Sequence, residues 1–270
     1  NASAIDWRVG VGRLVLVDRC VYAMPPVLEN DPWGRWMGAT LTHPYNSLSH
    51  ISSAVARELL SWEGPLTTVT RPGSGGTRRQ GDLLIHRSES LEGDLTTLRG
   101  IPITTVERTL VDLAPTISDR AMARAVREAV RLEQTTLVQL GSALGRFRGR
   151  RGVRRLAATI ARYAGLPLER VRSGSEVRAL EVLRDAERPM PRLNVDVAGE
   201  EADLSWPNWR LIIEIDGDPF HKDKGADARK EDVWRRAGWE VRRLPSNDVH
   251  DRPHRLLERA VPPNVHATTL

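Results

Sequence analysis

The stretch RLIIEIDGDPFHK, Arg210 to Lys222, sets two carboxylates, Glu214 and Asp216, at the end of a run that otherwise reads as a buried β-strand. Burying an unpaired carboxylate costs several kcal/mol, so a chain that keeps two beside Leu211, Ile212, Ile213 and Ile215 needs a counter-charge. A metal ion is the first candidate. Period-two alternation puts Ile212, Glu214 and Asp216 on one strand face. Asp203 lies on the preceding strand, joined by the turn around Pro207 and Asn208. If the hairpin turns at Asn208-Trp209, Asp203 comes opposite Glu214, while other registers move it by one or two residues. Three carboxylates then converge.

The surroundings read as helix, three strands, helix, strand. Ser173 and Glu176 are spaced to cap a helix that runs to about Glu187. LNVDV, EADLSW and RLIIEID form a meander, ADARKEDVWRRA is a helix ended by Gly238, and WEVRRL closes with a strand. On the first helix Glu176 shares its sector with Leu180 and Leu183 and so faces the sheet, whereas Glu181 points about 140° away. The plainer reading of Glu176 is an N-terminal capping residue. His221 follows the acidic strand, its plainer reading being a loop histidine, and Lys230 falls on the helix face shared by Ala226, Val233 and Ala237.

Upstream, Ser3 and Asp6 stand at capping-box spacing ahead of a short helix to about Val9. Two apolar strands joined at Asp18-Arg19 follow. A helix and hairpin make the second half of a winged helix-turn-helix, whose first helices would lie upstream of Asn1. From Trp33 to Ala114 the pattern is mixed α/β, with a glycine-rich turn RPGSGGTRRQG and a hairpin turning at Arg99-Gly100. Thr104 and Glu107 make a second capping-box pair ahead of the helix ERTLVDLA, which stops at Pro115. GSGG lacks the Lys-Ser/Thr pair and the following helix of a nucleotide loop. The expected divisions are 1–25, 26–117, 118–170 and 171–262.

Charge is unevenly placed along the 270 residues: 118–170 hold 12 Lys and Arg against 4 Asp and Glu, while the segments on either side are near balance. Arg120, Arg124, Arg127 and Arg131 line one helix face, and Arg146, Arg148, Arg150, Arg151, Arg154 and Arg155 crowd the stretch that follows. Like charges at such spacing repel unless they are a solvated face or meet a polyanion, which makes DNA the expected partner. The only lysines, Lys222, Lys224 and Lys230, fall just after the acidic strand. One cysteine, Cys20, permits neither an internal disulfide nor a four-cysteine zinc site and fits a reducing, cytoplasmic setting. No run approaches the length of a membrane span.

With Glu176, Asp203, Glu214-Ile215-Asp216 and the closing helix and strand, residues 171–262 resemble the PD-(D/E)XK nuclease superfamily. More narrowly, Ile215-Asp216-Gly217, His221 and RRAGWEV (Arg235 to Val241) resemble the very-short-patch-repair-like domains of unknown function of actinobacterial type. WRVGVGRLVLVDRCVYAM and GIPITTVERTLVDLA resemble the AbiEi-type antitoxin architecture. The fold this implies is α+β / α/β: a partial winged helix and mixed α/β region, then a restriction-endonuclease-like αβββαβ domain. The implied function is a Mg²⁺-dependent DNA endonuclease, with Mn²⁺ as a substitute, acting in defence or repair. Asp203 and Glu214 would hold the metal, with Asp216 or Glu176 completing the shell. Asp216 occupies the superfamily's lysine position, so His221 or Lys230 would replace that lysine. The resemblance also admits a homodimer and a toxin–antitoxin or defence partner. Two other readings stand beside it: a DNA-binding regulator with an inactive nuclease-like domain, and a nucleotide-sugar enzyme using Asp216-Gly217-Asp218 as a DxD metal motif.

Overall fold

A computed structural model describes residues 2–18, 21–25, 32–61, 64–217 and 224–263. The chain divides into two compact units, Asn1–Arg162 and Tyr163–Leu270.

The first unit opens with helix α1 (Ala2–Gly10) and an antiparallel pair, β1 (Val15–Asp18) and β2 (Val21–Ala23). The helix already begins at Ala2, so Ser3 lies inside it. Next come α2 (Pro32–Leu41), β3 (Ser47–Leu48), α3 (His50–Ala56), β4 (Thr67–Pro72), β5 (Arg78–Gln80), β6 (Leu83–Ser88), β7 (Leu95–Leu98) and β8 (Ile101–Thr104). The six strands form one mixed sheet in the order β5-β6-β4-β3-β8-β7. Hairpin β7–β8 turns at Arg99-Gly100 as expected: Leu98 pairs with Ile101, and both turn residues have positive φ, 49° and 80°, which suits the right-handed twist of the strands. Trp36, Leu48, Ala56, Ile101 and Ile103 form one core cluster, and Val69, Leu83 and Ile85 another.

Four helices complete this unit: α4 (Val106–Leu113), α5 (Asp119–Arg131), α6 (Leu137–Leu144) and α7 (Val153–Tyr163). The cap of α4 is Thr105, whose hydroxyl accepts from Arg108 N–H. Thr104 is spent elsewhere, because it ends β8 and its hydroxyl joins Ser53 and Thr109 in a buried network. Glu107 accepts from the Thr135 hydroxyl and caps nothing. Arg108 is the unusual residue, only 1% exposed. Its guanidinium bonds Asp112 at 2.7 Å, Asp94 at 3.2 Å, Ser90 O at 2.7 Å and Ser88 Oγ at 3.1 Å. A buried cation so surrounded fastens α4 to the loop between β6 and β7.

The second unit follows the expected order. It runs α8 (Gly174–Asp185), β9 (Arg192–Val197), β10 (Glu200–Trp206), β11 (Leu211–Asp216), α9 (Lys224–Arg236) and β12 (Glu240–Pro245), then α10 (Ser246–Asp251) and α11 (His254–Arg259). Its sheet is β12-β11-β10-β9, with β11 and β12 parallel and the other pairs antiparallel. This is the αβββαβ order expected from the sequence. Trp234 of α9, fully buried, packs against Val197, Ala202 and Ile212 and donates its indole N–H to Val197 O. Helix α8 is buried almost all round, and Glu181, expected to point outward, is 2% exposed. Helices α10 and α11 also pack on α8, and Arg178 lies 3.4 Å from the Glu181 carboxylate.

Removing the Arg108 guanidinium leaves the buried Asp94 and Asp112 only the longer contacts to Arg146 and Arg150, at 3.5 Å and 3.8 Å. Arg108→Met should cost about 3–5 kcal/mol of stability, measured as a shift of the urea midpoint at unchanged slope. A loss below about 1 kcal/mol would show that the cluster is not a fastening.

Candidate active site

Strands β10 and β11 pair regularly from the turn: Trp206 with Leu211, Ser205 with Ile212, Leu204 with Ile213. The next step brings Asp203 opposite Glu214, and there side chains replace main-chain carbonyls. The Asp203 N–H donates to Glu214 Oε1 at 3.0 Å, and the Ile215 N–H donates to Asp203 Oδ2 at 2.8 Å. The two acids therefore sit together where the strands part. Lys230 reaches back from α9 to Glu214 Oε2 at 3.0 Å, with its ammonium 4.7 Å from the centre of the Trp234 ring.

Glu176 closes the other side. Its N–H is capped by the Ser173 hydroxyl as the spacing foretold, while its carboxylate accepts from Arg172 N–H at 2.9 Å and Asn194 Nδ2 at 2.7 Å. Asn194, on β9 with a φ of 46°, was not singled out in the sequence. Nothing local marks it, since its role comes from a left-handed kink in the strand.

These neighbours raise the Asp203 pKa to about 7. Burial is the largest cause, followed by the negative charge of Glu214, with Glu176 adding to it; the Ile215 N–H and Lys230 work the other way. Asp203 thus holds a proton near neutrality, while Glu214 has a lysine for its counter-charge.

Asp216 is engaged differently from the sequence expectation. Arg243, from β12, lies 3.0 Å from Asp216 Oδ1 and also 3.3 Å from Glu231 Oε2. The parallel register places Arg243 beside Glu214, a neighbour that only the β11–β12 pairing reveals. Among the described residues no three His, Cys, Asp or Glu side chains stand ready to hold a metal ion. His221 and Asp218 lie outside the described residues.

The arginines between Arg120 and Arg155 divide into two kinds, all in the first unit. Arg127 and Arg131 both grip Glu128, at 2.8 Å and 2.6 Å, and Arg124 donates to the Ser61 hydroxyl at 3.2 Å. Arg146 pairs with Asp94, Arg150 with Asp112, and Arg155 with Asp119. Arg120, Arg148, Arg151 and Arg154 are exposed and make no ion pair among the described residues. The last three, with Arg150 and Gly149, line an open cavity of about 710 Å³.

No protein-family model matches this chain, and no curated protein matches it. Among solved structures, the catalytic domain of the homing endonuclease I-Bth0305I aligns with 32% of this chain and 90% of its own, at 19% identity and a TM-score of 0.28. At that score the likeness decides nothing, and the site is defined by its own geometry. No helix among the described residues is long and apolar enough to cross a membrane.

The raised Asp203 pKa fixes a sign. The folded chain keeps a proton that the unfolded chain releases near pH 4, so this group's effect on stability worsens as pH rises from about 4 to about 7 and then levels off. Asp203→Asn keeps an acceptor for the Ile215 N–H and removes the titration. The variant should gain on the wild type by up to about 1.4 kcal/mol per pH unit across that window. Urea melts of both proteins at pH 5 and pH 8 measure the difference, and an equal gap at the two pH values would contradict the assignment.

Proposed function

We propose that the second unit is a divalent-cation-dependent endonuclease that hydrolyses phosphodiester bonds in DNA. The observation that carries this reading is the meeting of Asp203, Glu214 and Lys230 where β10 and β11 part, with Asp203 poised to exchange a proton near neutrality. Two carboxylates with hard oxygen donors, one of them kept protonated first by burial and then by the charge of the other, form a spot where a small divalent cation relieves repulsion. Asp203 and Glu214 would hold it. Asp216 would join them only by leaving Arg243. Bound Mg²⁺ would polarise a phosphoryl oxygen and make a water more acidic.

The chain's own groups would supply the rest. Lys230 fits the place of the lysine that the strand itself lacks. Swung from Glu214 Oε2 toward a phosphate, its ammonium would offset the charge that grows on the non-bridging oxygens. Asp203 Oδ1, the oxygen not taken by the Ile215 N–H, is the one that would face the cation. In the first unit, Arg148, Arg151 and Arg154 are the proposed phosphate contacts, while Arg127, Arg131, Arg146, Arg150 and Arg155 are held by acids of the fold.

The ion pairs Lys230–Glu214 and Arg243–Asp216 favour a second reading, in which the acids are permanently neutralised and the protein binds DNA without cutting it. A supercoiled-plasmid nicking assay separates the two. The nuclease reading expects nicking with Mg²⁺ or Mn²⁺, none in EDTA, and a loss of at least about a hundredfold in Glu214→Gln and Lys230→Met, with DNA affinity within about threefold of wild type. Nicking that persists in EDTA, or at full rate in Glu214→Gln, overturns it.

A companion measurement concerns the arginines. Arg148→Gln, Arg151→Gln and Arg154→Gln combined should flatten the salt dependence of DNA affinity without lowering the melting temperature, whereas Arg127→Gln should act mainly on stability. An unchanged salt slope in the triple variant would make this loop a solvated surface.

A further inference from the structure

A second basic feature of the first unit lies outside 118–170. β5 is one of the two edge strands of the six-stranded sheet, and its residues Arg78, Arg79 and Gln80 are all exposed. Charge on an edge strand by itself only discourages pairing with another chain. Arg71 and Arg87, however, stand on the two neighbouring interior strands, where they are register partners on parallel β4 and β6. Arg78 is paired with Ile85, so it shares a sheet face with Arg87 and Arg71. The register thus sets three arginines on one face at one corner of the sheet, and among the described residues none of them has an ion pair. The acids nearest in sequence, Asp82 and Glu89, are exposed and pair with none of them.

The loop joining β4 to β5 is folded onto this corner. Gly73, with φ of 132°, lies so close to Arg87 that an added Cβ would stand 3.1 Å from its Nη1, and one at Gly75 would stand 3.6 Å from its Cδ. The N–H groups of Ser74, Gly75 and Gly76 have no backbone partner among the described residues. Bare amides beside clustered guanidiniums are the donor set that phosphate oxygens take.

We infer that this corner, Arg71, Arg78 and Arg87 around the Gly73–Gly76 loop, is a clamp for the backbone phosphates of duplex DNA. The choice of DNA rests on the nuclease reading of the second unit, and charge complementarity supports it. The clamp reads phosphate spacing and carries no base specificity, so it holds any sequence while chemistry proceeds elsewhere.

Binding of the full chain to a fluorescein-labelled duplex, followed by anisotropy in EDTA over a series of salt concentrations, tests the clamp without cleavage. Each lost phosphate contact should reduce the salt slope by about 0.9, so Arg71→Gln/Arg78→Gln/Arg87→Gln should be shallower by about 2–3 and bind roughly tenfold or more weakly at low salt. The corresponding triple Lys variant should keep the wild-type slope. The single Gln variants, each shallower by about 0.9, serve if the triple variant fails to fold. A well-folded Gln variant with the wild-type slope overturns the clamp, and so does a wild type that binds polyglutamate as tightly as the duplex, which would point to an acidic protein. Salt-dependent binding lost in the Gln variants, in a chain that never nicks plasmid, sinks the nuclease reading alone.

Discussion

The candidate site depends on an exchange of hydrogen-bond partners at one step of the β10–β11 ladder. Where the strands part, the N–H groups of Asp203 and Ile215 would lose their acceptors in a buried place, at a cost comparable to a lost hydrogen bond each. Glu214 and Asp203 supply those acceptors from their side chains. The backbone is thus satisfied only because two acids are there, and the acids are fixed in place because the backbone needs them. Structural and chemical demands coincide on the same pair of residues.

That pairing creates an electrostatic debt which the unit settles in three ways. Asp203 retains a proton, Glu214 borrows the ammonium of Lys230, and Asp216 is met by Arg243. Helix α9 is held in register by Trp234, whose indole is fixed to Val197 O, so the lysine one turn earlier is delivered to Glu214 by the packing of the core. The motif lysine of the strand is absent, but its charge comes to the same carboxylate from a helix.

Much of this was legible beforehand. Of the registers the sequence allowed, the one centred on Asn208-Trp209 is found, and with it the meeting of Asp203 and Glu214. The need for a counter-charge was also legible, and two cationic side chains, Lys230 and Arg243, stand beside the acids in the structure. What the sequence hid depended on partners distant along the chain. Arg243 reaches Asp216 only through a parallel pairing, and Asn194 reaches Glu176 only through a kink. Helical spacing showed four arginines on one face, but Glu128 neutralises two of them from within the same helix. The α4 cap moved by one residue because Thr104 belongs to a strand.

At the opposite end of β11 the chain is tightly bound. Arg210 adopts a left-handed conformation with φ of 48°, its carbonyl accepts from Glu240 N–H at 2.8 Å, and its guanidinium lies where a Cβ on Gly238 would stand 2.9 Å away. The turn leading into β11 and the turn leading into β12 are therefore buttoned together. Strand β11 has one clamped end and one end, at Asp203 and Glu214, where β10 lets go. Only the edge facing β10 opens there: β12 stays paired with β11 as far as Asp216, so the gap between the carboxylates is governed from the β10 side while the root at Arg210 and the β12 ladder hold β11 itself in place.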